Sequence, residues 1–143
     1  MEGVGDDRLT VRAIKRSIDG ALGSHGAWLL EPYEDLADSH GHNTDPVANV
    51  RGTALIAMKL GFQLCVHAIG DRANREVLDI FQGAFAAHPE RQDPRWRVEH
   101  AQHLDAADIP RFAELGVIAS MQGVHCTSDG PWVVKRLLSL IHI

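Results

Sequence analysis

Three short apolar runs in this sequence each lead directly into a segment bearing histidine. Leu64-Cys65-Val66 runs into His67-Ala68-Ile69-Gly70-Asp71, and Trp96-Arg97-Val98 into Glu99-His100-Ala101-Gln102-His103. Ile118-Ala119-Ser120-Met121 runs into Gln122-Gly123-Val124-His125, with Ser128-Asp129 close behind. Imidazole is the commonest metal ligand and the side chain that exchanges protons near neutral pH. Histidines at separate strand ends can converge on one ion without being neighbours in sequence. The competing reading is bland: a histidine at a strand end is usually a satisfied polar residue, and nine histidines in 143 residues make chance clusters. The repeated context lifts His67 and His100 above that reading and leaves His125 evenly balanced. His25, His40, His42 and His88 lie in turns or loops and read as solvated, and His103 reads as a helix-entry residue.

The elements that must position these residues follow from the hydrophobic pattern. A short strand is expected around Val11 to Ile14, followed by a glycine-rich turn over 19–24 and a polar surface loop over 31–46 with proline near both ends. A loop of that length is more often functional than idle. Val47, Val50, Ala54, Leu55 and Met58 recur at helical spacing after Pro46, and Gly61 supplies the stop. Strands are expected at 62–66, 96–98 and 117–121. Helices are expected from about Arg72 to Ala87 with Asp71 as the N-cap, from about Ala106 to Gly116, and over 132–137. Strands alternating with helices predict a parallel α/β arrangement, and short apolar strands suit a sheet covered on both faces. In such folds the carboxyl ends of the strands form the active-site rim. Periodicity does not separate an open doubly wound sheet from part of a barrel.

The bulk numbers narrow the function classes. With 45% hydrophobic and 23% charged residues the composition is that of a soluble globular domain. The formal net charge of −5, with both signs interspersed, gives no basic footprint for nucleic acid. No apolar stretch approaches the ~20 residues of a membrane span. The acidic start MEGVGDDRLT lacks the apolar core of a signal peptide. Cys65 and Cys126 form neither a disulfide framework nor a zinc ribbon, so a reducing, cytoplasmic setting is expected, with Cys65 packing as a small hydrophobe. Gly20-Ala21-Leu22-Gly23 is the best hint of a nucleotide- or cofactor-binding module, but it lacks the G-x-G-x-x-G spacing. A non-catalytic interaction domain on the same scaffold is the third alternative.

Four stretches, in order, make the pattern specific: Ile14-Lys15-Arg16-Ser17-Ile18-Asp19-Gly20-Ala21-Leu22-Gly23-Ser24, His67-Ala68-Ile69-Gly70-Asp71, Arg97-Val98-Glu99-His100-Ala101-Gln102 and Ala119-Ser120-Met121-Gln122. Together they resemble the amidohydrolase superfamily, most closely its amidohydrolase-3 branch, related to N-substituted formamide deformylases. The resemblance runs from about Thr10 to Leu137. It implies a (β/α)8 barrel with one or two divalent metals, usually zinc, at the carboxyl ends of the strands. It places Lys15 at the fourth-strand position, where a carboxylated lysine can bridge two ions, His67 as the fifth-strand ligand and His100 as the sixth-strand ligand. Read without the family, Lys15 is an ordinary exposed lysine. The implied chemistry is hydrolysis of a non-peptide C–N bond in a small amide-like substrate, by water that a metal has made acidic. Asp71 and Glu99 are then candidates to orient the histidines, although Asp71 serves equally as a helix cap, and Gln122 and His125 are candidates to face substrate.

Two parts of the family pattern are missing. The first-strand His-x-His pair should precede Lys15, whereas His40-Gly41-His42 follows it and is rejected on that ground. The eighth-strand aspartate, the usual proton shuttle, is also absent, and Asp129 follows the seventh-strand segment and does not replace it. A complete barrel typically needs about 250 residues. The expectation is therefore a partial barrel, about strands four to seven, over residues 1–137. The last six residues, Leu138-Ser139-Leu140-Ile141-His142-Ile143, resemble translated library-adapter sequence and are expected to be non-native. No catalytic residue is assigned, and the chain by itself is expected to lack appreciable hydrolase activity.

Overall fold

A computed structural model describes residues 3–137. The elements run β1 (Ala13–Ser17), α1 (Val47–Leu60), β2 (Gln63–Ala68), α2 (Asp71–Ala87), β3 (Arg97–His100), α3 (Ile109–Leu115), β4 (Ile118–Ser120), α4 (His125–Ser128) and α5 (Gly130–Leu137). The four strands form one sheet in the order β1-β2-β3-β4, parallel throughout. Residues 138–143, expected to be a non-native tail, lie outside the described residues.

Helices cover one face of the sheet. Ile18, Leu64, Val66, Ala68 and Val98 meet Val50, Ala54, Ala57 and Met58 of α1 and Val77, Leu78, Ile80, Phe81 and Ala84 of α2 in the main core. Trp96 is fully buried just before β3, edge-on to Phe81 at 4.8 Å between ring centroids. Its indole N–H donates to the Phe62 carbonyl at 3.0 Å, which satisfies the one polar atom that burial would strand. Fully burying an apolar side chain of the Val, Leu or Phe class contributes roughly 1.5–3 kcal/mol, so this face carries most of the sheet's stability. The opposite face presents Lys15, Ser17, Cys65, His67, Arg97, Glu99 and Ser120 by strand alternation and register. Lys15 and Ser17 are exposed, whereas Cys65 is buried, its thiol pushed up by desolvation.

Several boundaries differ from the sequence expectation, for identifiable reasons. The first strand begins at Ala13 rather than Val11 and runs through Lys15, Arg16 and Ser17, because pairing with β2 outweighs the polar character of its open face. β2 and β3 extend to include His67 and His100. Asp71 is the first residue of α2 and Gly70 its N-cap, with no side-chain cap. α3 starts later than Ala106, at Ile109, so His103 is not at a helix entry but buried in the connection, 1% exposed. The glycine-rich turn leads to no helix before Val47, so it has no phosphate-binding helix start of the dinucleotide kind. The expected surface loop over 31–46 is interior at Tyr33, which joins Leu22, Ala27 and Leu29 of the preceding segment in a second small core with Ile69 and Val133. The Tyr33 hydroxyl donates to the Ala27 carbonyl at 2.8 Å. His25 is not simply solvated either, since its ring meets Asp35 at 3.0 Å and Arg136 of α5 at 2.6 Å.

Candidate metal centre

His67 and His100 come from neighbouring parallel strands, with His67 paired in register to Glu99 and Ala68 to His100. Simple alternation would turn His100 to the helix face, beside Val98. Instead the backbone takes left-handed values at His100 (φ +74°) and Ala101 (φ +44°), which L-residues adopt at a cost of order 1–3 kcal/mol each. The turn brings the His100 ring against that of His67, edge-on at 4.4 Å between centroids. Strain of this kind persists only where the surroundings over-determine it, and here packing and hydrogen bonding both do.

Those surroundings centre on a buried amide. Asn74 of α2 is fully buried, and its Nδ2 donates to the carbonyls of Gly70 (2.8 Å), His103 (3.1 Å) and Ala68 (3.3 Å). One side chain thus ties the exits of β2 and β3 to the helix between them. The His103 backbone N–H donates to the Ile69 carbonyl at 2.9 Å and closes the same junction.

The electrostatics favour neutral donors. Burial, followed by the neighbouring His67, holds the His100 imidazole below its usual value; His125 and Lys15 push the same way and Gln122 opposes them. A neutral imidazole is the form that ligates a cation. Partial desolvation at the sheet face also lowers the Lys15 amine, against the pull of Glu99 and Cys65. Glu99 itself is paired with Arg97 at 2.8 Å.

A chain of polar contacts extends from His100. Its Nδ1 is 3.3 Å from Nε2 of His125, whose Nδ1 is 3.0 Å from Oδ2 of Asp129, and Gln102 donates to that same oxygen at 2.8 Å. His125 is therefore brought into the cluster. Gln122 donates to the Ser120 carbonyl at 3.1 Å and keeps its own amide oxygen buried without a partner among the described residues. Asp71 is directed elsewhere: its Oδ1 accepts from the backbone of Leu30 (2.9 Å) and Arg72 (2.8 Å), and it lines a cavity of about 550 Å³ that includes neither His67 nor His100. His40 and His42 stay exposed in the loop, outside the cluster.

One residue at the site escapes the sequence reading. Asp19 is 2% exposed, and its carboxylate accepts from the backbone N–H groups of Trp28 (3.0 Å), Ile69 (3.0 Å) and Gly70 (2.8 Å). Its Oδ1 lies 3.4 Å from Nε2 of His67. Gly70 permits this arrangement, since a Cβ there would stand 2.0 Å from the Trp28 carbonyl oxygen. The Asp-Gly pair reads as a turn in sequence, and only the place of Asp19, the second residue after the strand, hints at more.

Among the described residues no three His, Cys, Asp or Glu side chains are disposed to hold one ion. Two adjacent imidazoles, one of them held neutral, fit part of a donor set, with Lys15 on the same face of the sheet as a donor of another type.

Comparison with known proteins agrees with this architecture. The sequence model of the amidohydrolase family matches residues 1–139. The protein LONG AFTER FAR-RED 3 of Arabidopsis thaliana is 38% identical over 129 residues, covering 90% of this chain and 22% of that protein. The putative amidohydrolase YtcJ of Bacillus subtilis (strain 168) is 36% identical over 125 residues, 87% of this chain and 23% of its own length. Among solved structures, an uncharacterized metal-dependent hydrolase from Pyrococcus furiosus superposes with a TM-score of 0.80 at 33% identity, over 92% of this chain and 26% of that one. A second, from Pyrococcus horikoshii OT3, gives 0.76 at 30% identity, over 90% and 25%. The chain thus spans about a quarter of the length of the relatives it matches, and its parallel sheet and helices are those of part of a (β/α)8 barrel.

Proposed function

The chain belongs to the amidohydrolase family, and from that premise we propose that it forms the fourth-to-seventh-strand portion of a metal-dependent hydrolase acting on non-peptide C–N bonds in small amide-like substrates. β1 to β4 then answer to those four barrel strands. His67, His100 and Lys15 are the residues that would hold one or two divalent cations, with zinc the preferred metal for imidazole donors. The observation that carries this reading is the pair of strand-end imidazoles 4.4 Å apart, brought together by left-handed backbone at His100.

When bound, such a cation supplies Lewis acidity, lowering the pKa of water from about 15.7 toward ~7 and polarising a carbonyl. The chain's own residues do the rest. His67 and His100 would offer ring nitrogens, and the packing of His100 favours its neutral form, which has a lone pair to give. Lys15 can take up carbon dioxide only as the free amine, and its partial desolvation moves it in that direction. Glu99, held by Arg97, places negative charge beside Lys15 and keeps the lining from becoming uniformly cationic. Gln122 and His125 flank His100 on the side where a substrate would enter.

The test is zinc titration of the chain by calorimetry. Binding that is lost in both His67→Ala and His100→Ala supports the reading, and zinc retained by the double variant overturns it. Supplied with zinc and bicarbonate, the chain is expected to show no appreciable amide hydrolysis, because no His-x-His precedes Lys15 in it. A cytoplasmic setting belongs to the same proposal. Its test is cell fractionation, and the chain contains, among the described residues, no helix long and apolar enough to cross a membrane.

A further inference from the structure

Asp19 is an unusual residue to find at this place. Its side chain is completely shielded from solvent, and two of its three backbone donors, Ile69 and Gly70, lie 50 and 51 residues away in sequence. The third, Trp28, belongs to the loop that folds over the end of β2. Those three bonds fix both carboxylate oxygens, Oδ1 by Ile69 and Oδ2 by Trp28 and Gly70. A carboxylate so held cannot turn to follow a mobile partner. A partner must come to it.

His67 is in that position. Its Nε2 is buried, has no hydrogen bond of ordinary geometry among the described residues, and stands 3.4 Å from Asp19 Oδ1. An imidazole N–H left unpaired in a buried site is costly, and hydrogen bonds at metal and catalytic centres are commonly long until the site is loaded. Ligating histidines almost always donate their second ring N–H to a carboxylate, carbonyl or water, which fixes the tautomer and the ring plane. No such role follows from the loop-clamping bonds themselves, which would be satisfied with His67 in any orientation.

We propose that Asp19 is the positioning residue for His67: anchored by three backbone N–H groups, it accepts the Nε2 proton and so presents Nδ1 of His67 to the metal. This inference rests on the metal-hydrolase reading above. Asp19 contributes no ligand atom and transfers no proton. It sets which ring nitrogen is free and in which plane.

The first measurement needs no substitution and no metal. Long-range 1H–15N correlation spectra of the metal-free chain, near neutral pH, report which nitrogen of His67 carries the proton. A proton on Nε2 is expected, and a proton on Nδ1 overturns the assignment of Asp19. The second compares Asp19→Asn with Tyr33→Phe, which loosens the same loop by removing the hydroxyl bond to Ala27 but whose ring packs on His25, not on His67 or His100. At a temperature where both remain folded, zinc affinity should fall about 10- to 100-fold in Asp19→Asn, the usual effect of losing a partner of this kind, and stay within about twofold in Tyr33→Phe. Equal losses in the two would make Asp19 only a loop clamp. If Asp19→Asn does not fold, the tautomer measurement decides alone. The two ideas also fail separately: a parent chain that binds no zinc overturns the metal reading, whatever proton His67 carries.

Discussion

At the end of β2, His67 stands against a carboxylate that is 2% exposed and fastened by three backbone N–H groups. At the end of β3, His100 meets His125, which leans on Asp129 from a four-residue helix, with the side chains of His125 and Asp129 23% and 28% exposed. The two histidines touch each other, yet their supports differ in kind. One is a rigid anchor inside the protein and the other an adjustable chain near its surface. In a low-dielectric interior a fixed acceptor enforces one ring plane, whereas partly solvated groups exchange partners with water at little cost. Precision is therefore expected on the β2 side and adaptability, of the sort a changing substrate requires, on the β3 side.

The sharpest way to break this contrast is to remove each carboxylate. Asp19→Ala strands three backbone N–H groups, two of them buried, at about 1–3 kcal/mol each, so urea unfolding should show a loss of about 3 kcal/mol or more. Asp129→Ala should cost less than about 1 kcal/mol, as partly exposed pairs do. Similar losses would erase the distinction. In zinc calorimetry, His67→Ala and His100→Ala should each lose more than the roughly 100-fold upper range for supporting residues. His125→Ala should lose only about 10-fold, the lower end of that range, because the chain it belongs to can be replaced by water. An effect of His125→Ala as large as that of His67→Ala or His100→Ala would move His125 from support into the proposed donor set.

The smallest expected effect is in pH. Because His100 is held low in the folded chain, the stability linked to it is fully present above the unfolded value near 6.5, and is lost as pH falls from there through its folded value. The His100 ring should titrate by NMR below 6.5, and zinc should survive to lower pH than it would on an unperturbed imidazole. A midpoint above 6.5 would mean that Asp129, acting through His125, governs the ring more than burial does.

Much of the scaffold is legible in the chain. The alternation of apolar runs and helical periods gives the parallel α/β order, and Gly61 and Gly116 end their helices in left-handed conformation as such glycines do. The placement of His67 and His100 at strand ends is visible too. What escapes is non-local. Lys15 to Ser17 look too polar to continue the strand expected around Val11 to Ile14, because half of β1 faces away from the core, and Tyr33 falls in the expected surface loop over 31–46 because the small core it joins is completed by Ile69 and Val133. Asp19 reads as a turn residue because two of its three backbone partners are 50 and 51 positions away. The left-handed turn at His100 and Ala101 has no clear local signature, since alanine does not favour it; it lies between β3 and the His103 carbonyl that Asn74 holds.

The Asp19 clamp also has a consequence in time. Trp28 lies in a loop, Ile69 and Gly70 at a strand exit, and one side chain holds all three amides. The loop cannot lift without releasing the strand exit, so the three protons should exchange with solvent at a common rate set by one opening event. A segment that would otherwise fluctuate on its own thus keeps the clock of the sheet.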